Sequence, residues 1–150
     1  MAEKDGILRV EWQGPLALDE VAKLQKPMDA GLYAIYRPHV IYGRYTLVHI
    51  GMTCTTFGDR INARHPGVDV NTTSEIRVHV GRLSERPYDV KEFENLLKNV
   101  ETLLIYAHTP AFNSNCITDN SVASLPDLRI FNINENGMIL PEVSTARYRF

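Results

Sequence analysis

Cysteine is scarce in this chain of 150 residues: Cys54 and Cys116 stand 62 positions apart, with no partner at short spacing. That excludes a disulfide framework and the paired thiolates of a zinc ribbon, and both are read as reduced, structural residues. Long apolar runs are missing too. Stretches such as Leu103 to Ala107 are as long as they get, far short of the roughly 20 residues a membrane-crossing helix needs. Met1 to Gly6 holds no apolar leader, so the expected compartment is cytoplasmic. A surplus of basic charge is the third absence. The formal net charge is −2, whereas proteins that grip phosphate usually carry a basic footprint.

Hydrophobic residues make up 44% and charged residues 23%, an ordinary balance for a folded globular chain. The length suits one domain. The net charge conceals an asymmetry: from Arg37 to Arg86 there are seven arginines against four carboxylates, net +3, with no lysine. Arginine is the side chain suited to forked contacts with phosphate, although each of these also fits an ordinary solvated surface.

Leu16, Leu18, Val21 and Leu24, with Asp19 and Glu20 near the start, predict a short amphipathic helix. Leu32 to Tyr36 and Tyr45 to Ile50 are rich in β-formers and predict two antiparallel strands. Thr55 or Thr56 can cap a helix from about Gly58 to Arg64, which Pro66-Gly67 stops. Glu75 to Val80 alternates strictly and predicts a third strand. Asp89 and Glu92 have capping-box spacing. Phe93, Leu96, Leu97, Val100, Leu103 and Leu104 then recur at helical period up to His108, and Glu101 falls on the shoulder of that stripe. Leu128 to Asn132 and Met138 to Leu140 flank an Asn-Glu-Asn-Gly turn and predict a terminal hairpin.

The expected fold class is therefore α+β (α/β): a small central antiparallel three-stranded sheet flanked by helices, with an extra C-terminal β-hairpin. The expected organisation is one domain over 1–150, with a core at 31–113, an N-terminal helical extension at 1–30 and a C-terminal hairpin extension at 114–150.

A strand hairpin bearing Tyr33, Tyr36 and His49, a helix bearing Arg60 and Arg64, and a long helix bearing Glu101 together supply the parts of metal-assisted phosphodiester hydrolysis. Gly31-Leu32-Tyr33, then His49-Ile50-Gly51, then Arg60, then Glu101 followed by Leu104-Ile105, Pro110 and Asn113, resemble in order and spacing the GIY-YIG nuclease family. The resemblance covers Gly31 to Asn113. It departs from the family pattern where His49 replaces the second tyrosine, and where Arg64 and then His65 follow the helix arginine.

The resemblance implies a metal-dependent endonuclease. Glu101 would hold one divalent cation, Mg²⁺ or Mn²⁺, which would polarise the scissile phosphate and stabilise the departing 3′ oxygen. Arg60 would clamp the transition-state phosphate, Tyr33 and His49 would orient or activate the attacking water, and Asn113 would position the loop after the helix or bond near the metal. Histidine, with an ordinary pKa near 6.5 against about 10 for tyrosine, is intrinsically better placed to take a proton near neutrality. Arg37, Arg44, Arg64 and His65 are the candidate nucleic-acid contacts. The expected partner is nucleic acid, above all DNA, and cutting both strands of a duplex would suit a twofold homodimer. The competing expectation is an inactive nucleic-acid-binding or protein-interaction module on the same fold.

Overall fold

The computed structural model describes residues 6–39, 41, 43–62, 65, 73–111, 113 and 122–148, the side chains of Arg44 and Thr73 excepted. Its centre is one six-stranded mixed sheet, curled into a half-barrel, in the order β3-β2-β4-β1-β5-β6. The strands are β1 (Ile7–Leu16), β2 (Gly31–His39), β3 (Gly43–Thr53), β4 (Arg77–Leu83), β5 (Arg129–Asn134) and β6 (Glu142–Ser144). The expected three-stranded antiparallel sheet flanked by helices is thereby corrected.

The correction lies mainly in β1. Residues 7–16, expected inside a helical extension, alternate exposed and buried with Leu8, Val10, Trp12 and Leu16 facing inward, the period of two that a strand requires. This strand pairs antiparallel with β4, Trp12 opposite Gly81, and parallel with β5, Val10 opposite Asn132. It therefore welds the C-terminal strands to the hairpin core. The hairpin partner of β5 is Glu142–Ser144 instead of Met138 to Leu140, because Asn132 Nδ2 donates to the Leu140 carbonyl at 2.8 Å and ties that segment down as a connection.

Among the described residues, helices α1 (Leu18–Ala22), α2 (Phe57–Arg60), α3 (Val90–His108) and α4 (Thr145–Tyr148) accompany the sheet. On one face α3 buries Phe93, Leu96, Leu97, Val100, Leu103 and Leu104 among Leu32, Ala34 and Ile50. Its N-terminus is capped by Asp89, whose carboxylate accepts from Glu92 N at 2.9 Å. Thr109, in the left-handed conformation, closes its C-terminus. On the other face Tyr33, Ile35, Val48, Val78 and Val80 pack under Val21, Phe57 and Ile61 from α1 and the turn around α2. Both sheet faces are thus covered around β2, which explains the near-continuous apolar run Leu32 to Tyr36. Among the described residues, no helix is long and apolar enough to cross a membrane.

Candidate active site

The edge strand β3 is where the two faces of the sheet come within reach of each other. Register along β2 and β3 runs Tyr33 opposite Gly51 and Ile35 opposite His49, then skips Val48 so that Tyr36 meets Leu47. Such a bulge re-aims the side chains beside it. Val48 enters the core beneath α1 and α2, and on the same side the His49 ring stacks on Tyr33 with centroids 5.9 Å apart. Gly51 leaves room for the Tyr33 ring, since a Cβ there would collide with the phenol carbon and hydroxyl.

α2 is hung from the segment before β2. Thr56 caps it by accepting from Asp59 N, and Phe57 N and Gly58 N donate to the carbonyls of Asp29 and Leu24. Asp29 is in turn fixed by a 2.8 Å ion pair with Arg82, a buried carboxylate held by a partly covered guanidinium. Arg60 ends this helix, and its positive charge acts on the Tyr33 phenol. The expected extension to Arg64 is not seen: the helix closes at Ile61, whose extended backbone breaks the turn.

His65 returns the chain to the same spot. Its Nε2 lies 2.7 Å from the Tyr33 hydroxyl, and its ring meets Tyr33 and His49 edge-on at 5.4 and 4.8 Å. Burial and the Arg60 charge depress His49 to about 4. Burial, His49 and Arg60 do the same to His65, so both rings are neutral at pH 7. Burial pushes the Tyr33 phenol up to about 12, against the opposing pull of Arg60.

Glu101 reaches the cluster from α3. Half-buried, it lies beside the Met52 backbone, and burial raises its pKa despite the attraction of Arg60. The structure therefore brings together Tyr33, His49, Arg60, His65 and Glu101, from β2, β3, α2, the following turn and α3. Asn113 stands behind them: its side chain accepts from Ile50 N at 2.9 Å and donates to Ile50 O at 3.1 Å, an imitation strand on the open edge of β3. It fixes the strand that carries His49 and Gly51.

His65, expected as a nucleic-acid contact, is only 4% exposed and belongs to the cluster. Its backbone N–H donates to the Asn62 carbonyl at 2.9 Å, and the inward placement of its ring is not announced by its neighbours in sequence. Arg37 lies four residues beyond Tyr33 along β2, roughly 13 Å at strand rise, outside the cluster. Arg64 and the side chain of Arg44 lie outside the described residues.

Among the described residues there is no group of three or more histidine, cysteine, aspartate or glutamate side chains able to enclose a metal. One carboxylate does suit a hard cation such as Mg²⁺, which is commonly bound through one or two carboxylates together with substrate phosphates while keeping several waters. Glu101 thus fits as a single anchor for a cation shared with substrate. No protein-family model matches the chain, and no curated protein or solved structure matches it.

Proposed function

We propose that this chain is a GIY-YIG-type, metal-dependent endonuclease that hydrolyses phosphodiester bonds in nucleic acid, above all DNA, in the cytoplasm. The observation that supports this best is the convergence of Tyr33, His49, Arg60, His65 and Glu101 from five separate segments on one edge of the sheet. Such a mixture of neutral proton carriers, one fixed cation and one carboxylate matches the demands of phosphoryl hydrolysis: proton removal from water, and stabilisation of developing negative charge.

Glu101 would hold the divalent ion, which when bound supplies positive charge to the phosphate and the leaving oxygen. Arg60, whose guanidinium cannot lose its proton at working pH, binds a non-bridging phosphate oxygen on the opposite side. A water held at the His49 imidazole, the least covered ring of the cluster, attacks phosphorus as the P–O3′ bond breaks. Its proton passes to the neutral His49 ring, while Tyr33, buried and with a phenol at about 12, keeps its own proton and holds the two imidazoles in place. The attacking oxygen stays on the 5′-phosphate and the 3′ oxygen leaves to take a proton from solvent. His65 backs this route as a second neutral imidazole. The phosphate's negative charge offsets the Arg60 field and raises both imidazoles, which makes them better acceptors only once substrate is bound.

The test is nicking of supercoiled plasmid at low salt with Mg²⁺ or Mn²⁺, against EDTA and Glu101→Ala controls. Nicked or linear product with the native chain, absent in both controls, is the expected result. Equal behaviour of native protein and Glu101→Ala defeats the reading. Salt-dependent binding with no cleavage would transfer it to a nucleic-acid-binding module.

A further inference from the structure

Beyond the nuclease edge, a cavity of about 300 Å³ opens where β2, β3, β4 and the end of β1 meet the turn after β5. Its walls include Pro15, Tyr36, Tyr45, Arg77, His79 and Met138. Tyr36 sits opposite Arg77, and Ala34 opposite His79, so Tyr36, Arg77 and His79 present a shared face. Gly137 keeps the cavity open: a Cβ there would meet the Tyr36 hydroxyl at 2.8 Å and His79 Nε2 at 3.2 Å.

The polar groups are arranged with capacity to spare. Tyr36 accepts from Met138 N at 2.9 Å, leaving its O–H to donate. The Nδ1 of His79 faces the Glu135 carbonyl at 2.6 Å and must carry a proton there, which leaves Nε2 as the ring nitrogen able to accept. Arg77 is pinned by Nη1 on the carbonyls of Ser74 and Ile76, and its Nη2 and Nε have no partner among the described residues. Met138 and the Tyr45 ring are both more than half exposed. One donor, one acceptor, an unspent guanidinium edge and an exposed aromatic face fit a planar heteroaromatic ring that carries an anion. The ring's edge would bond to Tyr36 and His79, its face would lie on Tyr45, and the anion would lie on Arg77.

We propose that this cavity is a nucleotide-binding site, taking a nucleoside monophosphate either free or as one unit of a polynucleotide. It lies apart from the Tyr33–Glu101 cluster and does not rest on cleavage. The experiment is two-dimensional NMR titration of the native protein, without metal, by AMP, GMP, CMP and dTMP. The comparison ligands are adenosine, ribose 5-phosphate and a short single-stranded oligonucleotide.

Shifts confined to residues around Tyr45, Arg77, Gly137 and Met138 are expected. Arg77→Gln should weaken mononucleotide binding about tenfold or more while leaving adenosine unchanged. Tyr45→Ala should weaken both, and Tyr45→Phe neither. Saturation by a free mononucleotide assigns the site to a free ligand. Saturation by the oligonucleotide alone, lost in Tyr45→Ala, assigns it to a unit of a chain. The proposal is overturned by ribose 5-phosphate binding as tightly as AMP, or by the absence of shifts at the cavity with every ligand at millimolar concentration.

Discussion

The Tyr33 hydroxyl and His65 Nε2 lie 2.7 Å apart across 32 residues of chain, joined beneath the Arg60 guanidinium. This contact holds a tyrosine too weakly acidic to ionise near neutrality against a neutral imidazole. It also ties His65 to the middle of the sheet. On the proposed nuclease reading its consequences reach both catalysis and stability.

Glu101→Gln should abolish plasmid nicking, by at least about 100-fold, while raising the melting temperature of the metal-free protein. Burial raises the Glu101 pKa, so the folded state favours its neutral form. Such a group contributes stability below its unfolded pKa and loses it as pH rises through the folded one. The amide keeps the shape of the side chain and removes the charge. A lower melting temperature at neutral pH, with folding otherwise intact, would show that the Arg60 attraction outweighs desolvation.

Arg60→Ala is expected to cut the cleavage rate by about 100- to 1,000-fold, with Arg60→Lys retaining part of it. Arg60 is exposed and lowers both His49 and His65. Its loss should therefore move the NMR titration of both imidazoles upward with little change in stability. Unmoved histidine titrations would place the guanidinium away from the rings.

Acid should unfold the protein through this pair. Both imidazoles have folded pKa values near 4, below the ordinary 6.5, so the unfolded chain takes up protons first. Their contribution is complete above about pH 6.5 and is lost as pH falls through about 4; for the coupled pair it amounts to roughly 3 kcal/mol. Denaturant midpoints measured from pH 7 to pH 4 should fall, and should fall less in His65→Gln. A flat profile would falsify the neutral-pair assignment.

Gly51→Ala should cost roughly 1–3 kcal/mol, as overpacking of a filled core does, because the methyl group meets the Tyr33 ring. Displacing Tyr33 should also lower cleavage more than it lowers DNA binding. A variant of native stability and activity would show that the ring has room to move.

Asn113→Ala removes two hydrogen bonds to Ile50 and should destabilise by about 1–3 kcal/mol. Hydrogen exchange at Ile50 is the direct readout, since its amide would then face solvent. Unchanged protection there would mean that something else covers the edge of β3.

Much was legible in the sequence because it is written locally. The stripe Phe93 to Leu104 and the Asp89 cap fix α3, since a helix closes its hydrogen bonds within itself. Thr56, one of two threonines able to cap α2, does so through its near neighbour Asp59 N. The resemblance that singled out Tyr33, His49, Arg60, Glu101 and Asn113 likewise depends on residue type and spacing along the chain.

Only the tertiary structure decided where strands join. Sequence period says that Leu8, Val10 and Trp12 share a face, but hydrogen bonds between strands link residues far apart in the chain. Nothing local announces that β1 sits between β4 and β5 and converts three expected strands into a six-stranded mixed sheet. The same holds for His65, whose role is set by a turn that folds it onto Tyr33, and for Tyr36, Arg77 and His79, which become one cavity wall through register alone. Local sequence determined elements such as α3 and the hairpin of β2 and β3, and which side chains are available, but neither β1 nor β6. Long-range pairing determined which of those side chains meet, because the energy of a sheet and of a site lies in contacts between segments that the chain alone does not order.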